Sequence, residues 1–133
     1  MRVLLIGDGK MGRTLAQVAA ERGDAVVGLY GPAEMAAAIT PGIADVAVEF
    51  THPSAAAGAV RAALAAGLPV VSGTTGWDAE LAVVQDTLRR EGGTMLHAAN
   101  FSLGVQLFQR LVALAAHRHL ADALGELLED AAA

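Results

Sequence analysis

The stretch Val3-Leu4-Leu5-Ile6-Gly7-Asp8-Gly9-Lys10-Met11-Gly12-Arg13 constrains the fold more than any other part of the chain. A short apolar run ends at a glycine, and a helical pattern begins within four residues. Gly7, Gly9 and Gly12 fall on the G-x-G-x-x-G spacing. In that arrangement the first glycine makes a tight turn, and the second lets the backbone approach a pyrophosphate. The third lets helix and strand pack closely. The free N–H groups and positive dipole end of the helix then face the phosphates. Glycines also mark ordinary turns, so it is the place between a strand and a helix that makes a dinucleotide site the expectation here. A phosphate loop of the G-x-x-x-x-G-K-S/T type is excluded, because Met11 follows Lys10 and no glycine stands at the required upstream position.

Beyond this loop, strand and helix patterns alternate. Met11, Leu15, Val18 and Ala19 recur at helical spacing, and Gly23 stands where a helix cap belongs. Ala25 to Tyr30 reads as a second strand, Pro32 to Ile39 as a short helix, and Asp45 to Phe50 as a third strand. A helix over Ser54 to Ala66 follows, with Pro53 suited to its first turn and His52 or Thr51 near its cap. Pro69 to Ser72 forms a fourth strand. Asp78 can cap a helix carrying Leu81, Val84 and Leu88, and Gly92-Gly93 stops it before a fifth strand at Thr94 to His97. The pattern implies an α/β fold: a Rossmann-like, doubly wound parallel sheet of about five strands in three layers. Ligands of such sheets lie at the carboxyl ends of the strands. The polar and glycine clusters fall there: the first loop, Phe50-Thr51-His52, Gly73-Thr74-Thr75-Gly76 and Asn100-Phe101-Ser102.

Composition narrows the partners. The 133 residues suffice for one domain with a real core. A hydrophobic fraction of 54% owes much to alanine, and no apolar run approaches the roughly 18 residues of a membrane span. No leader is expected, since the first strand begins at Arg2. The absence of cysteine rules out disulfides and thiolate chemistry and fits a cytoplasmic setting. A net charge of −5 without a basic stripe argues against nucleic acid, and one Trp, one Tyr and three Phe make a base-stacking platform unexpected.

Four blocks together resemble dihydrodipicolinate reductase, also called 4-hydroxy-tetrahydrodipicolinate reductase, of lysine and diaminopimelate biosynthesis. They are Ile6 to Gly12, Val48-Glu49-Phe50-Thr51-His52-Pro53, Gly67 to Gly76, and Ala98-Ala99-Asn100-Phe101-Ser102-Leu103-Gly104-Val105, in matching order and spacing over about Met1 to Leu114. The resemblance implies a reductase passing hydride from NADH or NADPH to a cyclic imine-type acceptor. It implies that Gly7, Asp8, Gly9, Lys10, Met11 and Gly12 hold the pyrophosphate, with Phe50 and Thr51 at the same edge. It also implies that Gly73, Thr74 and Thr75, with Ala98, Ala99, Asn100 and Phe101, line the nicotinamide, and that Thr75 looks toward substrate carboxylates. No catalytic or metal-binding residue is assigned. The family's His-His pair, following Lys and Ser-Gly-Thr loop have no counterpart; His117 and His119 are separated by Arg118, and i, i+2 side chains diverge on a helix. The expectation is thus a cofactor-binding domain whose substrate domain is missing from this chain, so that it binds nucleotide without useful turnover. The other readings are a non-catalytic nucleotide-binding module or minimal truncated fold, and a reductase completed by a separate chain.

The resemblance leaves several positions open. The acid or Arg that usually follows the second strand is absent at Tyr30-Gly31-Pro32-Ala33; Glu34 is the nearest acid and serves equally as a first-turn helix residue, so NADH and NADPH stay undecided. The dinucleotide-binding domain is expected over 1–120 and a helical tail over 121–133. That tail is either a returning helix capped by Asp122 or a prolongation of the helix before it. Leu103, Leu107, Leu111 and Leu114 form one stripe of the 102–118 helix, and Val105, Phe108 and Val112 another. Such a helix is either buried on two sides or self-associates. Among single residues, Glu49 is expected near a strand end and partly solvated, His97 satisfied locally, Trp77 over the sheet edge, and Asp8 pointing outward.

Overall fold

The computed structural model describes residues 1–31, 34 and 38–131, with side chains described through 120. It divides after Ala99 into two compact units. The first contains five strands, β1 (Arg2–Ile6), β2 (Ala25–Tyr30), β3 (Val46–Glu49), β4 (Val70–Ser72) and β5 (Met95–His97). Its helices are α1 (Lys10–Glu21), α2 (Pro53–Ala65) and α3 (Asp78–Glu91). All strand pairs are parallel, in the order β2-β1-β3-β4-β5. This is the expected doubly wound, Rossmann-like α/β sheet, and its order reverses direction between β1 and β3. The helix expected over Pro32 to Ile39 falls largely outside the described residues.

Register places the core. Leu4, Ala47, Val70 and Met95 lie side by side across the sheet, and Ile6, Glu49, Ser72 and His97 form the next row toward the carboxyl ends. Against Leu4, Ile6, Ala47 and Val70 pack Ala56, Ala59, Val60 and Ala63 of α2, all fully buried or nearly so. The alanines let α2 approach the sheet closely.

The helix ends follow local chemistry. Gly23 ends α1 at φ +76°, its N–H donating to the Ala20 carbonyl. His52 is the N-cap of α2 and Pro53 stands in its first turn. The cap of α3 is Trp77 and not Asp78, which is the first helical residue. Asp78 and Glu80 in the first turn and Arg89 and Arg90 in the last complement the helix dipole instead.

The second unit, from Asn100, is one helix, α4 (Leu103–Ala131). The Asn100 side-chain oxygen accepts from Ser102 N at 2.7 Å, and the Ser102 carbonyl accepts from Gln106 N at 3.1 Å, so an Asx-turn starts the helix. Its backbone runs without a break through Asp122, which counts against a new helix beginning there. Between Val105 and Leu124 no Gly or Pro interrupts it, and an Asp in mid-helix costs only a few tenths of a kcal/mol, ~0.7 at most. Among the described residues, no helix is long and apolar enough to cross a membrane.

One ion pair ties the start of β1 to the turn before β3. Arg2 N–H donates to Asp45 Oδ2 at 2.7 Å, and the guanidinium donates to Oδ1 from Nε at 3.1 Å and from Nη2 at 2.7 Å. The Arg2 backbone N–H, and then its side chain, hold the Asp45 carboxyl below its ordinary pKa. A carboxyl lowered on folding adds stability above its ordinary value, and that increment is lost as pH falls through the lowered one. Both side chains are about half exposed, so the effect is small. Asp45→Asn is therefore expected to lower the urea midpoint slightly near neutral pH, and the difference from the wild type should shrink as pH falls through the lowered pKa. A difference that stays the same, or grows, with falling pH would contradict this account.

Candidate nucleotide site

The three glycines of the first loop separate by what surrounds them. Gly7 adopts φ +117°, and a Cβ there would stand 2.0 Å from the Phe50 carbonyl oxygen. Its N–H donates to the Tyr30 carbonyl at 2.8 Å. A Cβ on Gly12 would stand 1.8 Å from the Gly7 carbonyl oxygen, so α1 can lie this near the end of β1 only with glycine at that position. Gly9 differs: a Cβ there would meet nothing within 4 Å. Two glycines thus answer to the protein's own packing, and the third faces open space. Arg13 N–H donates to the Gly9 carbonyl at 3.1 Å to close the first turn of α1. The N–H groups of Lys10, Met11 and Gly12 precede the first intrahelical bond and have no acceptor within the helix.

That open space is a cavity of about 390 Å³ lined by Gly9, Lys10, Met11, Phe50, Thr51, Pro53, Gly73, Thr74 and Thr75. A neighbouring recess of about 220 Å³ is lined by Gly7, Asp8, Gly9, Phe50, Thr51 and His52. Both lie where the strand order reverses between β1 and β3, the place at which doubly wound sheets receive ligands. The Phe50 ring lies against Gly73, where a Cβ would come within 2.1 Å of it. For an anion the arrangement offers α1's free N–H groups, a backbone face without a side chain, and the Lys10 ammonium.

A buried carboxyl holds this edge together. Glu49, the last residue of β3, is 0% exposed, where the sequence led to the expectation of partial solvation. Its Oε1 accepts from Thr51 N at 2.7 Å, Thr51 Oγ1 at 2.5 Å and Thr74 Oγ1 at 2.6 Å, and its Oε2 accepts from Ser72 Oγ at 2.6 Å. Thr51 N also donates to Thr74 Oγ1 at 2.9 Å. A carboxyl group is tolerated in a core only when its oxygens are met in this way. The network fixes Thr51 after β3 and Thr74 after β4 relative to each other, and both line the cavity. Sequence reasoning missed it. The available signal was Glu49, Thr51, Ser72 and Thr74 spaced at two residues beside two strand ends.

The Thr74 backbone is held as firmly as its side chain. Its carbonyl accepts from Trp77 Nε1 at 2.7 Å and lies 3.0 Å from His97 Nε2. The Trp77 and His97 rings meet edge to face, 5.7 Å between centroids. His97 is thus satisfied locally. Trp77 is 2% exposed and part of the core, and its contacts with His97 of edge strand β5 and with Thr74 put it at the sheet edge beside the Gly73-Thr74-Thr75 loop. His52 caps α2, its Nδ1 3.2 Å from Ser54 Oγ. Ala98 and Ala99 follow β5 and line neither cavity, while Asn100 and Phe101 belong to the second unit. Asp8 is exposed, as expected.

The family described as "Dihydrodipicolinate reductase, N-terminus" matches residues 32–101. That match begins beyond the glycine loop, so the reading of the loop rests on its spacing and geometry. Among curated proteins, the 4-hydroxy-tetrahydrodipicolinate reductase of Christiangramia forsetii is 32% identical over 111 residues, covering 84% of this chain and 46% of that protein. The protein of the same name from Haloarcula marismortui is 45% identical over 82 residues, covering 61% of this chain and 32% of that protein. That from Beutenbergia cavernae is 42% identical over 120 residues, covering 87% and 48%. The chain spans about half the length, or less, of these curated relatives.

The Glu49 network makes a stability prediction. Glu49→Ala leaves buried donors without an acceptor, at about 1–3 kcal/mol for each one that water cannot reach. Glu49→Gln should cost less, because the Ser72 hydroxyl can turn round and accept from the new amide. Urea unfolding is expected to rank wild type above Glu49→Gln and Glu49→Gln above Glu49→Ala. Equal midpoints for wild type and Glu49→Ala would show that the network adds nothing.

Proposed function

The chain belongs to the dihydrodipicolinate reductase family, matching its N-terminal domain, and on that premise we propose that it is the nucleotide-binding part of a 4-hydroxy-tetrahydrodipicolinate reductase. The observation that carries the reading is the Gly9 face, open over a cavity at the β1/β3 switch point, between two glycines that packing demands. In this reading the pyrophosphate of NADH or NADPH rests on Gly7 to Gly12 and meets the first-turn N–H groups of α1 and the Lys10 ammonium. Phe50, Thr51, Gly73, Thr74 and Thr75 border the nicotinamide, with Ala98 and Ala99 after β5 on the same side, and Thr75 is turned to the substrate. When bound, the nicotinamide supplies a hydride for a cyclic imine-type acceptor. The chain's own part is to hold and orient the nucleotide, and the Glu49 network keeps Thr51 and Thr74 in place for that.

These 133 residues are proposed to bind the nucleotide without useful turnover. Holding an acceptor in reactive geometry supplies up to ~7–11 kcal/mol of a barrier, and the His-His pair, Lys and Ser-Gly-Thr loop that the family associates with this task are not in the sequence. The nucleotide-binding domain is assigned to residues 1–120, in a cytoplasmic protein of lysine and diaminopimelate biosynthesis. Self-association through Leu103, Leu107, Leu111 and Leu114 is part of the same proposal, since a single helix has no core of its own.

Fluorescence titration with NADH and NADPH tests the reading, and flat titrations for both would overturn it. Gly9→Val is the sharper probe. Its backbone angles suit any residue, and a Cβ there meets no protein atom within 4 Å, so it should cost about 1 kcal/mol of stability through the N-cap preference. It should nevertheless weaken nucleotide binding by about tenfold or more, because it fills the face the pyrophosphate would touch. Gly12→Ala should instead lower the stability, by about 1–3 kcal/mol or more, and with it the unfolding midpoint, through its clash with Gly7.

A further inference from the structure

Dinucleotide sites place an acid near the end of the second strand to hold the adenosine ribose 2′-hydroxyl, or an Arg to meet a 2′-phosphate. Here β2 ends at Tyr30 and the next residue is Gly31, which has no side chain to offer. The structure nevertheless puts a carboxyl at that point. A Cβ built on Gly31 would stand 3.5 Å from Asp8 Oδ1, 3.6 Å from its Cγ and 3.7 Å from its Oδ2. The Asp8 side chain thus reaches from the glycine loop into the space where a side chain after β2 would begin. The missing Cβ at Gly31 leaves that space free for it.

Asp8 is exposed and borders the recess formed with Gly7, Gly9, Phe50, Thr51 and His52. Its backbone carbonyl accepts from Arg13 Nε at 2.9 Å, which steadies the loop. Among the described residues, no hydrogen bond or ion pair engages its carboxyl. The sequence adds a second argument. No Lys or Arg occurs between Arg22 and Arg61, so the segment after β2 brings no cation for a 2′-phosphate, and its one charge before Asp45 is the acid Glu34.

We propose that Asp8 selects the nucleotide: its carboxyl accepts from the ribose hydroxyl of NADH and repels the 2′-phosphate of NADPH. Discrimination then comes as much from repulsion of the wrong ligand as from attraction of the right one. The inference rests on the nucleotide-binding reading above and deepens it. Lys10 borders the larger cavity, and Arg13 is the cation that would have to offset Asp8 if the preference ran the other way.

The test is titration of the 133-residue chain with NADH and with NADPH at low ionic strength, for the wild type, Asp8→Asn and Asp8→Ser. The wild type is expected to bind NADH about tenfold or more tightly than NADPH, a difference of ~1.4 kcal/mol. Both variants should narrow the ratio to about threefold or less, through tighter NADPH and weaker NADH. Because Asp8 is exposed, thermal melts of the variants should overlay the wild type. Equal affinities in the wild type, tighter NADPH, or a ratio unchanged in both variants would overturn the role of Asp8 and leave nucleotide binding standing. Binding of neither nucleotide to the wild type would bring down both proposals.

Discussion

The site edge depends on one buried carboxyl. Glu49 closes β3 on the core face of the sheet, and its two oxygens gather donors from the residues after β3 and from the end of β4 and beyond. Parallel strands provide no hairpin to connect their neighbouring ends, so the loops that follow them need another tie. Here hydroxyls on Thr51, Ser72 and Thr74 supply it. The Trp77 indole then grips the Thr74 carbonyl, so that the cavity wall is fixed from within the protein.

Around that anchor the chain separates packing from access. Gly7 and Gly12 let β1, α1 and the Phe50 backbone converge, and Gly73 makes room for the Phe50 ring. At Gly9 no packing inside the protein requires the missing side chain. The same residue type therefore does two jobs, and surroundings alone tell them apart. Asp8 follows the same logic, since a carboxyl between two glycines is free to turn to Gly31, the side-chain-free end of β2.

Family membership covers the middle of the chain most directly, over 32–101. The cavity joins that part to the loop that precedes it, with Gly9, Lys10 and Met11 on one side and Phe50, Thr51, Gly73, Thr74 and Thr75 on the other. The second unit contributes a helix whose start is built by Asn100 and Ser102. Asn100 thus has a local structural task whatever else it does.

The sequence alone determined the alternation of strands and helices, the glycine turn at the end of β1, Pro53 at the start of α2 and the glycine stop of α3. These follow from interactions within a few residues, such as backbone angles, cap chemistry and periodicity, so they are written in local order. Only the tertiary structure decided that Glu49 is buried and satisfied, that Trp77 belongs to the core, that Asp122 lies inside a helix, and that Asp8 stands beside Gly31. Most of these depend on distance in space: the register that sets Glu49 beside Ser72, or the turn that brings residue 8 to residue 31. Local preferences carry no record of such neighbours. Asp122 is the exception, where a residue that favours caps is outweighed by helix formers such as Leu120, Ala121, Ala123 and Leu124 on either side.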